Sequence, residues 1–150
     1  MIRLSSFDRH YGTGRNSTVP PERDAPGSAG DWLDRARSDL ALARAPLPEG
    51  AIYEDLCYHA QQAAEKALKA IYRYRESEFR YTHDIGELIN GLPLDGKVVP
   101  ASVFDAIELT EFATLTRYPG VAEPTTETEY ERAIAAAMAV VAWADELTGY

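Results

Sequence analysis

The run from Tyr53 to Ser77 limits the fold more than any other part of the chain. It contains no glycine and no proline and is rich in alanine, so nothing in it breaks an α-helix. At about 100° per residue, Leu56, Ala60, Ala63, Ala64, Ala67, Leu68, Ile71 and Tyr74 share one broad apolar face. A face that wide touches more than one neighbour. This segment is therefore expected to be the central helix of a bundle.

The flanking segments supply the neighbours. A first helix is expected from Asp31, which can cap it, with Trp32, Leu33, Ala36, Leu40 and Ala43 at helical spacing; Pro46 to Gly50 end it. After the central helix, a short one starts near Thr82 or Asp84, and Asp84 with Glu87 has capping-pair spacing. It stops at Gly91 and Pro93. A fourth helix begins near Pro100, carries Val103, Phe104, Ile107 and Phe112, and ends before Pro119. The fifth opens on Thr126 and Glu129, also in capping-box spacing, and runs to about Leu147, with Gly149 placed as a C-cap. No segment alternates as a half-buried strand does. The expected fold is all-α, an antiparallel up-and-down bundle of four long helices and one short one, over residues 31–150.

Residues 1–30 differ. They hold Pro20, Pro21 and Pro26, with four arginines against three acids and no hydrophobic period, and are expected to form a disordered leader. That terminus has no apolar signal segment, and the longest apolar run, Ile134 to Ala144, is too short to span a bilayer. The single cysteine, Cys57, cannot form an internal disulfide, and no Cys/His spacing suggests zinc. A cytoplasmic setting without metal or cofactor is expected.

The net charge of −9 repels nucleic acid as a whole, so any phosphate contact requires a local basic patch. One island qualifies. On the central helix His59, Gln62, Lys66, Lys69 and Arg73 alternate steps of three and four, within roughly an 80° arc opposite the apolar face. A phosphate along this stripe would meet several donors. A solvated helix face with a Glu65–Lys69 pair explains the same spacing. His83 stands at an expected helix start, where free backbone N–H groups favour an anion; a loop-fixing histidine is the plainer alternative. Arg117 and Tyr118, before Pro119, offer a guanidinium fork beside an aromatic ring, although arginine near a helix C-terminus is ordinary. There is no phosphate loop, dinucleotide fingerprint, zinc-protease motif or recognisable nucleophile.

Taken together, Trp32-Leu-Asp-Arg-Ala-Arg-Ser-Asp-Leu40, Tyr58-His-Ala-Gln-Gln-Ala-Ala-Glu-Lys-Ala-Leu-Lys-Ala70, Thr82-His-Asp-Ile85 and Leu115-Thr-Arg-Tyr-Pro119 resemble the HEPN family, the higher eukaryotes and prokaryotes nucleotide-binding domain. The resemblance implies a helical bundle that dimerises. It implies nucleotide or RNA-end binding, for which the basic island and its neighbours, Gln62, Lys66, Lys69, Arg73, His83, Arg117 and Tyr118, are the expected contacts. It also implies partnership with a minimal nucleotidyltransferase in a toxin–antitoxin-like pair. Some members are metal-independent ribonucleases that use an arginine, four to six residues, then a histidine. Here no histidine follows Arg117. Seven residues separate Arg75 from His83, and two separate Arg80 from it. Arg3 and His10 fit the spacing but lie in the leader. The non-catalytic branch fits better, with a ribonuclease of degenerate Arg/His site as the alternative.

Overall fold

The computed structural model describes residues 25–113, 119–120 and 123–150. Residues 1–24 of the expected leader lie outside the described residues, and Ala29 and Gly30 already belong to the first helix. Every regular element among the described residues is helical: α1 (Ala29–Ala43), α2 (Tyr53–Tyr74), α3 (Ile85–Asn90), α4 (Ala101–Phe104), a 3₁₀ segment (Asp105–Ala113) and α5 (Glu127–Thr148). None is long and apolar enough to cross a membrane.

The central position of α2 is as expected. It packs along α1 and α5, with the 3₁₀ segment against a further side. Ala60, Ala63, Ala64, Ala67, Leu68, Ala70 and Ile71 are fully buried, and α5 meets them with Ala133, Ala136, Ala137, Val140 and Ala144. Small side chains on both helices let the backbones approach closely.

The caps explain where the boundaries moved. Ser28, not Asp31, caps α1, its hydroxyl accepting from Asp31 N at 3.2 Å. The Asp31 carboxylate accepts instead from Gly27 N at 2.9 Å and Arg35 Nε at 3.1 Å. A Ser-x-x-Asp pair thus works as a capping pair three residues earlier. The helix α2 stops at Tyr74 rather than Ser77. Ser77 N donates to Tyr72 O and Glu76 N to Arg73 O, with Glu76 left-handed at φ 54°. This is a Schellman ending without its usual glycine, which leaves no sequence signal. Asp84 caps α3, Thr126 and Glu129 form the full capping box of α5, and Gly149 closes α5 at φ 75°.

The fourth element is a correction. It is not a long α-helix but one α-turn running into nine 3₁₀ residues. Its buried residues are Val103, Ala106, Leu109 and Phe112, every third position, which is the 3₁₀ period. Phe104 and Ile107, expected to help form the apolar face, are exposed in consequence.

Candidate functional site

The polar stripe of α2 does not face open solvent. Helix α1 lies against it and supplies a buried carboxylate, Asp39, which accepts from His59 Nδ1 at 2.9 Å and from Lys66 Nζ at 2.5 Å. One turn further on, Glu65 is buried within α2 itself. It accepts from Lys69 Nζ at 2.7 Å, Gln61 Nε2 at 2.9 Å and His83 Nδ1 at 3.0 Å. Gln61 also donates to the His83 carbonyl and accepts from Gln62 Nε2 at 2.7 Å.

Glu65 is 4% exposed and Lys69 5%. Burial is the largest influence on the Glu65 carboxyl and pushes it up. Hydrogen bonds from Lys69, His83 and Gln61, with the Lys69 charge, outweigh burial and hold it below its usual value. An ionised Glu65 then fixes the imidazole of His83. Because Nδ1 donates inward, Nε2 is the ring nitrogen left to face outward, and the side chain is 65% exposed.

The segment that carries His83 is anchored by Phe79. That ring meets Trp32 edge-on at 5.6 Å and Tyr72 at 5.9 Å, while Lys69 Nζ and the Arg73 guanidinium lie 5.2 and 4.8 Å from its centroid. Arg73 itself is exposed, and no ion pair joins it to a carboxylate among the described residues. Arg80, with its side chain 86% exposed, pairs with Glu87 at 2.9 Å. Elsewhere, a groove of about 560 Å³ opens between the 3₁₀ segment and α5, where, among the described residues, Asp105, Glu108, Glu111 and Glu129 outnumber the one cation Arg132. That surface repels phosphate. No group of three or more His, Cys, Asp or Glu among the described residues is placed to hold a metal ion.

The HEPN domain family model matches residues 29–147. The chain belongs to the HEPN domain family. It is also similar to an archaeal HEPN homologue of known crystal structure, at 28% identity and a TM-score of 0.61, over 79% of this chain and 96% of that one. No curated protein matches it.

Within this HEPN domain the expected cationic stripe needs correction. Lys66 and Lys69 are neutralised by Asp39 and Glu65, and Lys69 is buried rather than offered to a ligand. The Glu65–Lys69 pair exists as its spacing suggested, but inside the protein. Gln62 is half-buried and donates to Gln61; Arg73 and His83 remain accessible. Backbone N–H groups do not await an anion at the start of α3. Asp84 Oδ1 accepts from Glu87 N and Thr110 Oγ1 from Ile85 N, both at 3.0 Å. Arg117 and Tyr118 lie outside the described residues.

Sequence reasoning missed Asp39, Gln61 and Glu65 as the groups that organise the site. Asp39 did carry a signal, since it follows Trp32 by seven residues and so shares its face of α1.

Proposed function

We propose that this HEPN chain binds the phosphate of a nucleotide or an RNA end at the rim where α2 finishes. In this reading it works in the cytoplasm as a homodimer, beside a minimal nucleotidyltransferase in a toxin–antitoxin-like pair. The supporting observation is an exposed arginine, Arg73, without a carboxylate partner among the described residues, over the Phe79 ring of the segment that also carries His83, whose own ring is held by the buried Glu65. Gln62 and Lys66 lie further back along the same helix, and Lys66, held by Asp39, takes no direct part in this reading. Lys69 acts from beneath by keeping Glu65 ionised. Arg117 and Tyr118 complete the proposed contacts.

The test is calorimetry at low salt with adenosine monophosphate and with a short single-stranded RNA. Binding is expected for the wild type, and Arg73→Ala is expected to weaken it about tenfold, as losing a charge-assisted contact of 1.5 kcal/mol or so would do. Absence of binding to either ligand overturns the reading.

The same Glu65–His83 pair supports a second reading, a metal-independent ribonuclease, because a carboxylate-oriented imidazole suits proton transfer. RNA cleavage in the presence of a chelator, abolished by His83→Ala, would put this reading first.

A further inference from the structure

The connection from α2 to α3 is longer than a turn between packed helices requires, and it is held in place rather than loose. Its start is closed by the Ser77 N to Tyr72 O bond of 2.9 Å and by Arg75 reaching Asp95 at 2.6 Å. Its middle is fixed by Phe79 among Trp32, Tyr72, Lys69 and Arg73. Its end is fixed by Thr82 Oγ1, which accepts from Asp84 N at 3.0 Å, and by His83 on Glu65. Between these fixed points Tyr81 is 97% exposed, and among the described residues its ring approaches Phe79 alone, edge-on at 6.3 Å.

A lone exposed aromatic needs no explanation. Tyr81 is not alone. Arg80 beside it is largely exposed, His83 stands two residues on, and Arg73 covers the ring against which Tyr81 rests. An accessible π-face on a segment fixed at both ends, with Arg80 next to it in the chain and Arg73 over the ring it rests against, suits a nucleobase whose own phosphates reach those arginines. The Arg80–Glu87 pair does not oppose this, since the arginine side chain is 86% exposed and keeps donors free for a phosphate beside its contact with the half-buried Glu87.

We infer that Tyr81 is the stacking platform for a base of single-stranded RNA or of a nucleotide whose phosphate is held by Arg73, Arg80 and His83. The inference rests on the phosphate-binding reading and names the part of the ligand that reading leaves open. Stacking makes the site tolerant of base identity, because every base presents a π-face. It also makes the site select single strands, whose bases are free to leave their neighbours.

The test is fluorescence anisotropy with the full chain and two fluorescein-labelled strands, a hexamer of RNA and the same backbone with abasic positions. Tyr81→Ala is expected to weaken the intact strand about tenfold, within the range of base–aromatic stacking, and to leave the abasic strand unchanged. Tyr81→Phe is expected to bind as the wild type does. Because Tyr81 has almost no packed contacts, its removal leaves the bundle intact, which circular dichroism verifies. Equal binding of the intact strand by wild type and Tyr81→Ala, or equal losses on both strands, overturns the stacking role while the phosphate site stands. Failure of the wild type to bind either strand overturns both.

Discussion

Replacing Lys69 with methionine tests whether the cluster beneath the rim is as closed as its geometry indicates. The ammonium and the Glu65 carboxylate, with side chains 7% and 5% exposed, meet at 2.7 Å. Removing one member of a pair this buried leaves the other charge uncompensated, at a typical cost of about 3–5 kcal/mol. Gln61 and His83 still donate to Glu65, so the lower end, about 3 kcal/mol, is expected at pH 7. The pH dependence is more telling. In the wild type the Glu65 carboxyl lies below its usual value. Its contribution is therefore complete above the unfolded carboxylate range and fades as pH falls through the lower folded value. Without Lys69 the upward push of burial prevails. The variant then loses stability as pH rises through the raised value, and the difference from wild type widens from pH 4 to pH 7. Urea unfolding at several pH values measures this. Exchanging both partners in Glu65→Gln/Lys69→Met should recover most of the loss, since no buried charge then remains. A loss under about 0.5 kcal/mol, typical of a surface lysine, would refute the closed cluster. So would a loss independent of pH.

Cys57 should not react with a thiol reagent at pH 8 until urea unfolds the chain. Burial, joined by the charges of Glu54, Glu129 and Glu111, pushes its thiol up to about 12, and the thiolate is the reactive form. Glu76→Gly should raise stability by about 0.5–1 kcal/mol in urea titrations, because glycine accepts the left-handed turn that Glu76 now occupies. For RNA binding, the logarithm of the affinity against that of salt should fall with a slope near −1.4 if Arg73 and Arg80 neutralise two phosphates, at about −0.7 each for a single strand. A flat plot would mean that the arginines do not touch phosphate.

How much of this was legible beforehand depended on whether the deciding interaction was local. The axis of the bundle was legible because alanines and leucines on α2 repeat with the period of the helix that buries them. The caps at Asp84 and Thr126 were legible because a cap and its partner sit three residues apart. The ending of α2 at Tyr74 was not, because its left-handed residue is a glutamate. The 3₁₀ segment was half visible. Val103, Ala106, Leu109 and Phe112 recur every third residue, but Phe104 and Ile107 complete an equally plausible α pattern until packing decides between them. The site was least legible. Lys66 and Lys69 fall on a polar arc, and only tertiary structure brings Asp39 from α1 to one of them. Glu65 was visible as a partner of Lys69, but only tertiary structure brings His83 onto its carboxylate and the Trp32 and Phe79 rings over Lys69.

Neutralised lysines change what kind of ligand suits the rim. With Lys66 and Lys69 engaged internally, the groups that remain for a ligand near the end of α2 are Arg73 and Arg80, with the accessible ring of His83 on the same connecting segment. A body of net charge −9 repels a long polyanion over most of its surface, and the acidic groove beside α5 strengthens that repulsion. Each added nucleotide therefore brings more repulsion than contact once the local cations are satisfied. The arrangement favours a ligand that ends, one or two phosphates and a base, over a strand passing across the molecule. The buried glutamate then has a definite part. It adds no attraction for the ligand, being negative itself, but it fixes the direction of the His83 ring, so that the outer ring nitrogen is presented to a ligand in one orientation.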